Sequence, residues 1–373
     1  MKPATIDAID TTILDLPLRR AHQFSVTTID RQTMLLAQVR SSDGVVGIGE
    51  GAVPGGPWWG GDAIETVQAL IDNYLAPALV GTPADGINEA VRRMDRVAQG
   101  SWVAKSAIEM ALFDALGKRV GVPVYQLLGG SVRRSLPVTW ALGATHAGAV
   151  IDEIEEKLES GVHSSFKLKM GAMEPSEDVA RVLDVAAALD GRTSLRVDLN
   201  GAWDETTAKT LLPELERAGI DLIEQPVPGW ALDGLSRLSE RLGVPIMADE
   251  SVRTPQDALT ASRLRAGDVV SLKVPKSGGL MRTQAVAAIV DASGLPCHGG
   301  TSIETSIGTS ASLHAYCALP GVTWGSELFG PLLLAEEAVV EGCTYRGDRI
   351  HLRDEPGLGI ELDEARVKEF RRE

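Results

Sequence analysis

The chain has 373 residues, with 36 basic and 51 acidic side chains and a formal net charge of −15. Its length suggests two domains or slightly more, and 44% apolar with 23% charged residues describes a water-soluble fold with a large core. The acidic balance argues against nucleic acid or an anionic membrane as a partner and weighs mildly against an anionic substrate. No run approaches the ~18 apolar residues of a bilayer span. Residues 1–16, with Asp7, Asp10 and Asp15, do not read as a signal peptide. Three cysteines without CxxC spacing (Cys297, Cys317, Cys343) point to a reducing cytoplasm.

Residues 6–14 and 33–39 are rich in β-formers, and Ser42-Asp43-Gly44 before Val45 is a hairpin turn. The segment Gly55-Gly56-Pro57-Trp58-Trp59-Gly60-Gly61 is glycine-rich but lacks the GK[ST] of a phosphate loop. Alone it reads as a surface loop; its two tryptophans also suit a lid. Helical patterns cover 62–74, 86–97 and 101–120, the last placing Ile108, Leu112 and Leu116 on one face. Eight short β-rich runs follow, at 136–142, 165–170, 194–200, 221–225, 245–250, 269–274, 295–299 and 322–327. Amphipathic stretches such as 179–189, 206–218, 232–242 and 256–264 separate most of them. A period near 25 residues predicts a (β/α) barrel with seven full helices. An open doubly wound sheet is disfavoured because no glycine fingerprint follows a first strand.

Ionisable residues interrupt these strands in a pattern. Lys167 and Lys169 stand at i, i+2 on the second barrel strand, so they share a side. Asp198, Glu224, Asp249 and Lys273 follow at spacings of 26, 25 and 24, one βα unit each. They therefore fall at equivalent heights near the C-terminal ends of four consecutive strands, where barrel active sites are built. Singly, such a carboxylate is a helix cap or a surface residue. Together, three carboxylates in a barrel mouth stay ionised only with a cation between them. An all-oxygen donor set favours Mg²⁺ or Mn²⁺ over Zn²⁺. Lys169 and Lys273 would face each other across that cation, their pKa values lowered from about 10.4 towards neutrality, as acids or bases at carbon. Such a site suits an enediolate formed beside a substrate carboxylate, with Lys167 over the developing charge.

The constellation resembles the enolase superfamily, and within it the muconate-lactonizing-enzyme subgroup. The likeness spans nearly the whole chain. It rests on FKLKMG at 166–171, VDLN at 197–200, LIEQP at 222–226, MADES at 247–251 and SLKVPKSGG at 271–279. GGTSIETSIGT at 299–309 and TWGSELFGPLLLAEE at 323–337 narrow it to muconate and chloromuconate cycloisomerases. The resemblance implies a (β/α)₇β barrel at 131–327, an α+β capping domain with lid loops at 1–130, and a segment at 328–373 returning to the cap. It implies Asp198, Glu224 and Asp249 as ligands of Mn²⁺ or Mg²⁺, Lys169 as proton donor, Lys273 as the opposite lysine, and Glu327 orienting Lys273. Lys167, His22, Trp59, Asn200 and Phe329 are expected on the substrate side; His298, at the end of the seventh strand, is a further pocket candidate. A small dicarboxylate substrate and a homo-oligomer, an octamer by resemblance alone, complete the expectation.

Cycloisomerisation of cis,cis-muconate leads the resulting hypotheses. Racemisation or epimerisation of amino-acid derivatives is the second, since facing lysines can exchange protons by a two-base route. A dipeptide epimerase, however, is expected to carry an acidic pair after strand eight, where this chain has Ser326-Glu327-Leu328-Phe329. Synthesis of o-succinylbenzoate and a non-catalytic binding barrel stand behind these. Cys297 next to His298 lacks the third group of a nucleophilic triad.

Overall fold

A computed structural model describes residues 4–373; the first three residues of the N-terminal segment lie outside it. The chain opens with an antiparallel sheet of β1 (Ile6–Gln23), β2 (Thr28–Ser41) and β3 (Val46–Ala52), in that order. The first two strands run well past their predicted ends. Their pairing shifts between Pro17 and His22 and resumes with His22 opposite Ile29. Pro17 has no N–H for the ladder, which accounts for the break, and the resumed pairing carries His22 out over the barrel. The helix Trp102–Val120 packs on this sheet. Contact is close enough that a Cβ on Gly49 would lie 2.0 Å from the Ala107 carbonyl. The predicted helix at 62–74 begins at Ile64 and loosens into a π turn at Ile71–Leu75. Pro77, which cannot bond back to the preceding turn, follows at once.

Eight parallel strands then form one sheet in sequential order: β5 (Trp140–Leu142), β6 (Ser165–Lys169), β7 (Ser194–Asp198), β8 (Leu222–Glu224), β9 (Ile246–Ala248), β10 (Val269–Leu272), β11 (Cys297–Gly299) and β12 (Val322–Ser326). Seven helices of ten or more residues cover it, from Ala147–Glu159 to Ser306–Ala318, with one extra turn at Val274–Ser277, and in place of an eighth the single turn Gly330–Leu333 comes next after β12. This is the (β/α)₇β arrangement. The predicted strand at 136–142 is in fact two pieces: β4 (Ser135–Pro137) leaves the barrel, and β5 stays in it. Between them the sheet closes on itself, through a parallel bridge of Val138 with Ser326 and a 2.7 Å bond from Thr139 N to the Ser326 carbonyl.

The C-terminal segment supplies β13 (Thr344–Arg346) and β14 (Arg349–His351), the latter pairing with β4. Its end returns to the first sheet: Arg371 bridges Leu14, and Arg372 donates to both Asp15 oxygens at 2.7 and 2.8 Å. Buried carboxylates join cap to barrel. Glu50 on β3 accepts from Thr305 N (2.9 Å), Thr305 Oγ1 (2.6 Å) and Gly308 N (2.8 Å), at the N-terminus of the helix Ser306–Ala318. Glu109 from the cap lies at the N-terminus of Leu280–Ala292, so tightly that a Cβ on Gly279 would meet its Oε2 at 1.8 Å. A carboxyl group at a helix N-terminus faces the N–H groups that the helix leaves unpaired. No helix among the described residues is long and apolar enough to cross a membrane.

Candidate active site

Alternation along β6 sends Phe166 and Leu168 towards the helices and Lys167 and Lys169 into the barrel. Asp198 is the register partner of both Lys169 on β6 and Glu224 on β8. Asp249, Lys273 and Glu327 each follow the last residue of β9, β10 and β12. All seven therefore crowd the C-terminal rim of one barrel. In the sheet order β6 and β10 stand four places apart among eight strands, so Lys169 and Lys273 rise from opposite walls.

The charged groups pair in a lattice. Lys167 bonds Glu224 and, at 2.6 Å, Glu327, and stands 3.3 Å from Asp198. Lys169 donates to Asp198 at 2.5 Å and to Asn200 Oδ1 at 3.2 Å. Lys273 donates to Asp249 Oδ2 at 2.6 Å, and Lys276 to Asp249 Oδ1 at 2.8 Å. One expectation is corrected here and another is narrowed. Glu327 holds Lys167 and not Lys273, because Asp249 on the neighbouring strand captures the Lys273 ammonium. The lowering expected of Lys273 needs the cation: among the protein groups alone, burial works against the charge, but Asp249, Glu224 and Glu250 outweigh it and raise the pKa.

The three predicted metal ligands are each turned to a lysine, and no set of three or more His, Cys, Asp or Glu side chains among the described residues stands at metal-holding spacing. Their chemistry nonetheless fits a hard divalent cation. Glu224 Oε1 is buried without a hydrogen-bond partner. Burial, with Asp198, Glu327 and Asp249 nearby, pushes the Glu224 pKa up to about 8 although Lys167 is bonded to it. The rim thus has more carboxylate than its lysines neutralise, all of it oxygen.

Above this floor lies a cavity of about 430 Å³, lined by Lys167, Lys169, Lys273, Asn200 and Glu327 below and by His22, Phe24, Trp58, Trp59 and Phe329 above. The glycine-rich loop is therefore a lid. Trp59 donates its indole N–H to Glu250 Oε1 at 2.8 Å, and the Lys273 ammonium lies 4.4 Å from its ring centroid. Asn200, in the left-handed region (φ 45°) that Asn tolerates, also donates to Glu250 Oε1, at 3.0 Å. His298 does not line the cavity. It sits lower on β11, with Nδ1 3.0 Å from the Trp324 carbonyl and Nε2 3.8 Å from Glu327, which stands between it and the opening. Cys297 is buried and its thiol is pushed up to about 12 by that burial, so a nucleophilic role has no support.

Sequence reasoning missed several residues. Lys276 and Glu250 lie within motifs already singled out, three residues and one residue from named site positions. Gln225, in the left-handed region at φ 35°, accepts from Asp249 N at 2.9 Å and donates to Ser251 Oγ at 2.8 Å, fixing the Asp249 turn. Its place after Glu224 in LIEQP was the available signal.

Residues 8–129 match the mandelate racemase/muconate lactonizing enzyme N-terminal domain, and residues 149–366 match the enolase C-terminal domain-like family. The chain belongs to the enolase superfamily. It is 48% identical over 372 residues to muconate cycloisomerase 1 of Rhodococcus opacus, covering 100% of both chains. It superposes with a TM-score of 0.97 on 2-chloromuconate cycloisomerase from Rhodococcus opacus 1CP, at 44% identity, over 99% of this chain and 100% of that one. The muconate lactonizing enzyme from Pseudomonas fluorescens complexed with muconolactone gives the same TM-score at 43% identity and the same coverage. Within this superfamily the rim lysines and carboxylates stand where the barrel fold builds its chemistry.

Proposed function

We propose that the protein is a muconate cycloisomerase, interconverting cis,cis-muconate and muconolactone. The observation that carries this reading is the division of the cavity into a floor with three lysines and an upper wall of aromatic rings. The floor attracts a dicarboxylate, and the rings accommodate its conjugated chain. Within a protein of net charge −15 the cavity floor presents Lys167, Lys169 and Lys273, while Asp198, Glu224 and Asp249, to which they are bonded, do not line it.

Asp198, Glu224 and Asp249 would hold a divalent cation, Mn²⁺ or Mg²⁺, whose charge lowers the energy of negative charge developing on a substrate carboxylate. The remaining work falls to the chain. Lys167, pinned between Glu224 and Glu327, presents a fixed positive charge to that carboxylate. The second carboxylate is held near the conjugated double bond, so its addition is intramolecular and avoids the entropy cost of a bimolecular encounter. As the new C–O bond forms, the carbon beside the first carboxylate takes up a proton. Lys169, at the cavity wall and aimed by Asn200, donates it; in the reverse direction the same nitrogen accepts it. Trp58, Trp59 and Phe24 cover the site and limit the water that competes for that proton.

The alternative of amino-acid or dipeptide epimerisation needs an acidic group for the substrate ammonium. Among the described lining residues Glu327 is the lone carboxylate, and Lys167 already holds it. A self-associated oligomer is part of the proposal on the family likeness alone. The deciding experiment incubates the enzyme with Mn²⁺ in D₂O and muconate, chloromuconates or N-acyl amino acids. Lactone carrying one deuterium at the α-carbon is expected; deuterium exchanged into amino-acid derivatives with muconate unchanged would overturn the assignment.

A further inference from the structure

His22 is fully buried, lines the cavity, and has no hydrogen-bond partner at Nε2. Its other ring nitrogen is 3.2 Å from Nη1 of Arg20. A guanidinium has donors only, so Nδ1 must accept and the ring proton must reside on Nε2. The ring itself is wedged edge-on against Phe24, with centroids 4.8 Å apart, and lies beside Phe329. It therefore cannot turn to exchange its nitrogens without displacing two aromatic neighbours.

Arg20 is in turn held from the barrel. Its guanidinium donates to Glu153 Oε1 (Nε, 3.0 Å) and to the Ala141 carbonyl (Nη2, 3.1 Å), and it lies 5.7 Å from the Trp140 ring centroid. Trp140 Nε1 donates to the same Glu153 oxygen at 2.7 Å. A residue at the edge of the capping sheet is thus fixed by the first barrel strand and the helix behind it. The buried N–H it leaves on His22 would cost free energy unless a ligand satisfies it.

We infer that Arg20 is a positioning residue for substrate binding: it locks His22 as the Nε2–H tautomer, which donates to a carboxylate of the bound dicarboxylate. This rests on the proposed cycloisomerase reading for the identity of the ligand, but not for the tautomer. The arrangement supplies a neutral donor, and so complements the charged lysines at the floor without adding to their mutual repulsion.

The test uses the full-length, Mn²⁺-activated enzyme for kinetics and a Mg²⁺-loaded sample, ¹⁵N-labelled at histidine, for NMR. In the unaltered enzyme near neutral pH His22 is expected neutral and protonated at Nε2, with that resonance shifting when muconolactone is added. A Nδ1-protonated or charged His22 in active enzyme overturns the inference while leaving the proposed reaction intact. Arg20→Met is expected to raise KM for muconate about tenfold, the effect of losing one hydrogen bond to a charged group, with kcat within about threefold. His22→Gln, whose amide donates without a tautomer to be set, should make Arg20→Met nearly silent. Equal effects of Arg20→Met in the two backgrounds, or a loss confined to kcat, would also overturn it.

Discussion

Trp59 on the lid and Glu250 on the barrel rim are joined by a 2.8 Å hydrogen bond, and the accepting oxygen is the one that Asn200 also bonds. Asn200 bonds Lys169 in turn. A closed lid is therefore wired to Lys169, the proposed proton donor, through two side chains. Trp59→Phe keeps a ring near Lys273 but removes the donor. We expect kcat/KM for muconate to fall by about three- to tenfold, in line with one lost hydrogen bond. Steady-state kinetics checks this, and an unchanged kcat/KM would count against the connection.

Lys169→Met removes the ammonium expected to deliver the proton. Activity should drop by roughly 10²–10⁴-fold, the usual share of general acid catalysis. Asp198 keeps Lys167 at 3.3 Å, so the fold should survive. Circular dichroism and thermal melts separate lost chemistry from lost structure. Retention of more than about a tenth of the rate would exclude Lys169 as the donor.

Removal of divalent cation by a chelator should abolish turnover, and Mn²⁺ or Mg²⁺ should restore it. Asp249→Asn should weaken Mn²⁺ binding, followed directly by electron paramagnetic resonance of free Mn²⁺. Binding at full strength in that variant would place the cation elsewhere.

Stability should depend on pH through Glu109. Burial against the N-terminus of Leu280–Ala292 raises its pKa from 4.5 to about 8. Because the folded-state pKa lies above the unfolded one, the folded state keeps this proton where the unfolded chain has lost it. Its contribution is fully present below about pH 4.5, declines by up to ~1.4 kcal/mol per pH unit above that, and is gone by about pH 8. Glu109→Gln should flatten the fall in Tm between pH 5 and 8 that is expected of the unaltered protein. Parallel Tm profiles for the two proteins would show that Glu109 does not titrate there.

The barrel and the rim were legible because both follow from period. Asp198, Glu224, Asp249 and Lys273 repeat at one βα unit, and the fold turns equal spacing into equal height. What periodicity does not carry is partner choice. Glu327 is as many strands from Lys273 as from Lys167 around a closed barrel, and only the competing reach of Asp249 decides between them. His298 has the right strand and the wrong depth, a difference of one residue in a three-residue strand. The split of 136–142 was hidden because Ser135–Pro137 and Trp140–Leu142 are both good strands; what separates them is β14, more than 200 residues away. Glu250 and Gln225 act through other side chains, and although both stand in the MADES and LIEQP motifs, nothing local says which groups they hold; Arg20 stands in no such motif.

Glu50 bears on how this protein can be recombined with its relatives. It belongs to the capping sheet, yet its bonds are made to Thr305 and Gly308, just beyond the Thr301–Ile303 stretch that borders the cavity. A chimera that takes its lids from one parent and its barrel from another splits this carboxylate from the helix end it serves. Grafts that exchange residues 4–130 together with the 299–309 segment keep this junction matched, and substrate range can be traded in such units where the Glu109 seat at Gly279 is matched as well.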